Sequence, residues 1–178
     1  METIVILCGV NESGKSKTLK KFFGVSHLPR LRPMQLLERT LNGMKVYAVS
    51  LNSPQELRNF CDEEGVIDSI RKRITKCRQS SKGQQYTLTI PFGVYGAVKG
   101  KLNEDCILKP IEWLLDHARA RVHVIYLQKR SARGLGLVEA FMKQLTQNVI
   151  ESTEDYDRQS EELEDFIRRF LLGAETLQ

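Results

Sequence analysis

The chain has little of what would tie it to a membrane, an oxidising compartment or a structural metal. No apolar run approaches the roughly 18 residues of a spanning helix. The opening stretch METIVILCGV carries an acid and no basic segment before its short apolar run, unlike a signal peptide. A cytoplasmic protein with no membrane partner is the expectation. Cysteine is sparse: Cys8, Cys61, Cys77 and Cys106 lie 53, 16 and 29 residues apart, which fits neither a zinc knuckle nor a disulfide scaffold, so they read as reduced and structural. The histidines, His27, His117 and His123, are equally dispersed. Repeats, low-complexity tracts and linkers are lacking too, and 178 residues suit a single domain over 1–178.

Charge is present and unevenly placed. Residues 1–150 hold 24 Lys and Arg against 13 Asp and Glu, whereas residues 151–178 hold 3 against 9, giving balances of +11 and −6 within a net charge of +5. A basic body points to an anionic ligand, and the acidic end either stays solvated or lies on the basic surface as a salt-bridged helix.

Periodicity predicts alternating strands and helices. The runs at 3–8, 45–51, 85–92 and 121–128 read as strands, with a short fifth at 148–153. Helices are expected at 15–23, 34–41, 53–65 (ended by Gly65), 66–79, 106–120, 135–147 and 154–172. Ile107, Ile111, Leu114, Leu115 and Ala118 form the apolar stripe of the 106–120 helix. The order implies a three-layer α/β/α domain around a mostly parallel sheet of four to five strands.

One motif stands out. Gly9-Val10-Asn11-Glu12-Ser13-Gly14-Lys15-Ser16 fits G-x-x-x-x-G-K-[ST], and it follows a buried strand and opens a helix, with Lys17 next in line. That context lets backbone N–H groups wrap a phosphate chain at a helix N-terminus. The glycines allow close approach, Lys15 supplies a charge for the β- and γ-phosphates, and the Ser16 hydroxyl is a Mg²⁺ ligand. Without a ligand, the Lys15 side chain is expected to stand exposed.

On these residues the chain resembles the P-loop NTPase superfamily, which implies a nucleotide at the C-terminal ends of parallel strands. The wording GVNESGKS looks like the loop of ABC and RecF-like ATPases, but their L-S-G-G-Q-like signature and acidic Walker B strand have no counterpart here. The later layout is similar to small kinases of the nucleotide-kinase type. That resemblance implies phosphoryl transfer from ATP, with Lys129, Arg130 and Arg133 as lid cations beside Lys15.

Some parts of such a site are missing. The strands at 85–92 and 121–128 end without a carboxylate, leaving Glu12, Asn52 with Ser53, or Glu104 with Asp105 as substitutes. No N-K-x-D guanine reader occurs, so ATP is the default. The segment HLPRLRP and the basic helix 66–79, with Arg71, Lys72, Arg73, Lys76 and Arg78, offer an anionic acceptor or a nucleic acid a surface, or else form a solvated face. Tyr86, Phe92 and Tyr95 are candidates for base stacking or for core, and the glycines at 93, 96 and 100 suit a closing loop. Three functions stay open: a kinase-like phosphotransferase, a nucleic-acid-associated ATPase or switch, and a binding-only module.

Overall fold

The structure, a computed structural model, describes residues 2–10, 13–27, 34–55, 63–93, 105–117, 120–129 and 148–172. Strand β1 (Glu2–Gly9) is a continuous β-branched and apolar run because both its faces are covered. It pairs in parallel with β4 (Tyr86–Gly93) on one side and β5 (Ala120–Lys129) on the other. Beyond β4 lie β3 (Met44–Val49), in parallel, and β2 (Leu36–Leu41), antiparallel to β3; beyond β5 lies β6 (Asn148–Ser152), in parallel. The sheet therefore has six strands in the order β2-β3-β4-β1-β5-β6.

Alternate residues of β1 feed two cores. Ile4, Ile6 and Cys8 pack with Val66, Ile70, Ile74 and Cys77 of α2 (Glu63–Ser81) and with Ile111 and Leu114 of α3 (Asp105–His117). Val5 and Leu7 pack with Leu19 and Phe22 of α1 (Lys15–Phe22) and with Leu163 and Phe166 of α4 (Tyr156–Phe166). Helices on both faces give the expected three layers. A π-helical turn, Ile167–Leu172, continues α4 and adds Ile167 to the second core.

Three expectations need correction. The sheet has six strands rather than four or five, because residues 34–41 are not a helix: Leu36–Leu41 is an edge strand. The reason is the turn that follows. Asn42 and Gly43 have φ of 48° and 78°, the paired positive values of a type I′ hairpin turn, which locks 36–41 onto Met44–Val49. Gly65 does not end a helix; it is buried inside α2, which starts at Glu63, and residues 56–62 of the expected 53–65 helix lie outside the described residues. Leu115 is 62% exposed, so it leaves the α3 stripe that Ile111 and Leu114 do form. The expected helix at 135–147 is also outside the described residues. Among the described residues, no helix is long and apolar enough to cross a membrane.

The topology marks one place for a site. The chain leaves β1 toward the β3 side of the sheet, while β4 leads across to β5 on the opposite side. Open α/β sheets form their crevice where the direction of winding reverses, at the C-terminal ends of the strands. Here Gly9 stands between Gly93 and Leu127, its partners on β4 and β5.

Candidate functional site

The loop leaving β1 at this crevice is the motif. Gly9 ends the strand, and a Cβ built on it would fall 2.2 Å from Ser13 Oγ and 3.0 Å from Ser13 Cβ, so a side chain there would force the buried Ser13 to shift. Ser13 N–H donates to the Val10 carbonyl at 3.2 Å, closing the turn. Gly14 caps α1 in the left-handed region, at φ 89°, where glycine carries no steric penalty. A Cβ at Gly14 would also meet the Tyr156 ring, with Cε1 2.6 Å away. Two independent reasons thus require glycine at 14.

Lys15 is not exposed, which corrects the sequence expectation. It is 6% exposed, and its ammonium donates to the carbonyls of Gly9 at 2.9 Å and Val10 at 2.8 Å, with Ser13 Oγ at 3.4 Å. The side chain folds back because a buried ammonium must find acceptors, and the Gly9 and Val10 carbonyls at the strand end lie within its reach. The ammonium is held at the base of the loop rather than spread through solvent.

The start of α1 is electrically unusual. Gly14 supplies no side-chain cap and the first turn holds no acid, although the helix dipole favours negative charge there. Lys15, Ser16 and Lys17 occupy that turn instead. This end of α1 is complementary to an anion.

Ser16 donates its hydroxyl to the Leu51 carbonyl at 2.6 Å. With its proton committed, the oxygen keeps its lone pairs for another partner. Leu51 follows Ser50, a non-glycine residue at φ 65°, so the backbone after β3 holds local strain at the crevice. This segment is firmly set. Arg73, fully buried, donates to the Asn52 carbonyl at 2.8 Å, and Gln55 grips both backbone groups of Gly93, donating to its carbonyl at 3.1 Å and accepting from its N–H at 3.4 Å.

The far wall comes from the chain's other end. Ser152 Oγ donates to the Ser13 carbonyl at 2.7 Å, Thr18 Oγ1 donates to Gln159 Oε1 at 2.6 Å, and Lys17 lies 4.8 Å over the Tyr156 ring. Sequence reasoning missed Ser152, Tyr156 and Gln159, because contacts across roughly 140 residues leave no local signal.

The remaining candidates divide. Asn11, Glu12, Arg130 and Arg133 lie outside the described residues, as do Tyr95, Glu104, 28–33 of the HLPRLRP segment and 94–100 of the glycine-rich stretch. Tyr86 and Phe92 are core, 2% and 0% exposed. The basic run of α2 spreads around the helix. Arg71 and Lys72 pair with Asp68, Arg73 turns inward, Lys76 bonds the Met34 carbonyl, and Arg78 grips Glu2 through two nitrogens. The described ends of β3, β4 and β5 present Ser50, Asn52, Gly93, Gln128 and Lys129, with no carboxylate among them. Among the described residues, no cluster of three or more His, Cys, Asp or Glu could hold a metal ion. Cys8, below the loop, is pushed up to about 12 by burial, against the lowering pull of Lys15, and is an inert thiol.

No protein-family model matches the chain, and no curated protein does. Solved structures resemble it in outline. A de novo designed protein with a P-loop fold shares 16% identity over 100% of both chains, with a TM-score of 0.45. The protein APE1195 shares 11% over 96% of this chain and 97% of that one, with a TM-score of 0.49. The shikimate kinase of Bacteroides thetaiotaomicron shares 12% over 93% and 98%, with a TM-score of 0.42. Likeness at this level carries nothing about chemistry, which must come from the loop itself.

Proposed function

We propose that the protein binds a nucleoside triphosphate, with ATP as the default, in the loop Gly9–Ser16, and transfers its terminal phosphoryl group to an anionic acceptor. One observation carries the reading. The N-terminus of α1 has no side-chain cap and no acid, while the Lys15 ammonium is fixed at the base of the same loop. Positive charge gathered at the positive end of a helix dipole is self-repelling unless an anion completes it.

Mg²⁺ fits Ser16, the ligand that the described residues of the loop offer. The Ser16 oxygen has lone pairs to give, and Mg²⁺ keeps waters and substrate phosphates as its other ligands. When bound, the ion would neutralise charge on the β- and γ-phosphates. Lys15, whose three N–H donors face the Gly9, Val10 and Ser13 oxygens in this structure, would turn at least one of them to the outer phosphates, and Lys129, at the end of β5, leads into the segment of Arg130 and Arg133, the cations assigned to the transferring group. The acceptor is assigned to the crevice between the ends of β3 and β4.

A second reading has its own support, since the described ends of β3, β4 and β5 lack a carboxylate. On that reading the loop binds nucleotide without turning it over. One experiment separates the two. ATP and GTP are titrated with and without Mg²⁺ by calorimetry, and the ATP-loaded protein is then offered nucleosides, nucleotides and sugars while phosphate is followed by ³¹P NMR. Saturable binding with a phosphorylated product supports the kinase reading; binding without any product supports the second. Lack of saturable triphosphate binding refutes both.

A further inference from the structure

Residues 152–159 are remote from the loop in sequence, yet they make up one of its walls. We infer that the junction between β6 and α4 belongs to the nucleotide site, with Gln159 as a positioning residue that acts through Thr18; the inference rests on the nucleotide-binding reading above.

Gln159 is 1% exposed, and both ends of its carboxamide are used. The oxygen accepts from the Thr18 hydroxyl at 2.6 Å, and the nitrogen donates to the Thr153 carbonyl at 2.5 Å. The order is fixed, because a carbonyl can only accept and so must face the amide nitrogen. Thr18 is the residue whose N–H donates to the Gly14 carbonyl at 2.8 Å, making the first hydrogen bond of α1. Gln159 therefore sets where the first turn of α1 sits relative to the end of β6. Two further contacts converge on the same turn: the Ser152 hydroxyl holds the Ser13 carbonyl, and the Tyr156 ring closes the space beside Gly14. The N–H groups that would face phosphate are aimed by hydrogen bonds from the other end of the chain, and a small shift of the aligned donors weakens every contact they make.

The test compares affinity with stability. Binding of a fluorescent N-methylanthraniloyl-ATP with Mg²⁺ is measured for Thr18→Val, which removes the hydroxyl and keeps the shape, Thr18→Ser, which keeps the hydroxyl, and Gln159→Leu. Ile150→Val, which trims a buried methyl from β6 and touches none of these bonds, is the control, and urea unfolding without nucleotide gives the stability of each. Thr18→Val and Gln159→Leu are expected to lose affinity about tenfold or more, and the double variant no more than either alone. Thr18→Ser regains the affinity, and Ile150→Val keeps it despite a similar loss of stability. Affinity of Thr18→Val within about twofold of wild type, or a parallel loss in Ile150→Val, overturns the positioning role and leaves the nucleotide reading standing. Failure of the wild type to bind overturns both.

Discussion

At the scale of single residues, the loop uses two that serve fold and site together. Gly14 pairs a left-handed backbone with a ring against its α-carbon, so Gly14→Ala meets two separate penalties. The backbone alone costs roughly 1–2 kcal/mol, and the overlap with Tyr156 adds to it. Urea unfolding should show Gly14→Ala destabilised by about 2 kcal/mol or more, and adding Tyr156→Ala should recover the overlap but not the backbone part. A double variant as stable as Tyr156→Ala alone would show that φ carries no cost. Lys15 is the second such residue. Lys15→Ala takes this donor from the Gly9 carbonyl and leaves the Val10 carbonyl with the Ser13 N–H, so it should lose about 1–3 kcal/mol of stability as well as triphosphate binding. Undiminished stability in a thermal melt would mean that the ammonium does no structural work when no nucleotide is bound.

At the scale of elements, what could be read from sequence depended on the range of the forces involved. The β1–loop–α1 unit was legible because its signals are local: a continuous β-branched run, two glycines at fixed offsets and a lysine on the next turn. Residues 34–41 misled because Leu36, Leu37 and Leu41 fit a helical spacing as well as an edge strand, and the deciding signal lay just beyond them in Asn42-Gly43. That turn is open, since nothing approaches within 4 Å of a Cβ placed on Gly43. Gly43→Ala should therefore cost only backbone strain, about 1–2 kcal/mol, with nucleotide affinity unchanged, in contrast with Gly14→Ala at a similar φ. A loss in Gly43→Ala as large as in Gly14→Ala would assign the whole effect to φ and leave Tyr156 with no part. Leu115 was misplaced for another physical reason: a helical stripe is wider in sequence than the strip of sheet it covers, so its edge residue faces water.

At the scale of the whole molecule, the charge asymmetry was legible but its partners were not, since ion pairs across the chain have no spacing rule. The acidic end does lie against the basic body. Glu164 of α4 accepts from Arg39 of β2 at 2.5 Å and from Arg168 at 2.8 Å; Arg39 also donates to the Phe22 carbonyl at the end of α1, and Arg168 to Asn42 of the hairpin at 2.5 Å. One carboxylate thus links an edge hairpin, the loop-bearing helix and the last helix. Burial acts to raise the pKa of Glu164, but the hydrogen bonds and charges of Arg168 and Arg39 outweigh it and hold the carboxyl below its ordinary value. A lowered folded pKa means that the unfolded chain binds the proton more readily. The stabilisation is therefore complete above the ordinary glutamate pKa of about 4.3, and is lost as pH falls through the lower folded value. Glu164→Gln removes that titration and one charge. In melts from neutral pH downward, wild type should exceed Glu164→Gln by a constant margin until the carboxylate range, and the margin should then shrink. Salt should narrow it only modestly, because the Glu164 side chain is 23% exposed and Arg39 32%. A margin that stays constant down to strongly acidic pH would show that Glu164 holds these elements by shape rather than by charge, and the acidic end would then owe its position to Leu163, Phe166 and Ile167 alone.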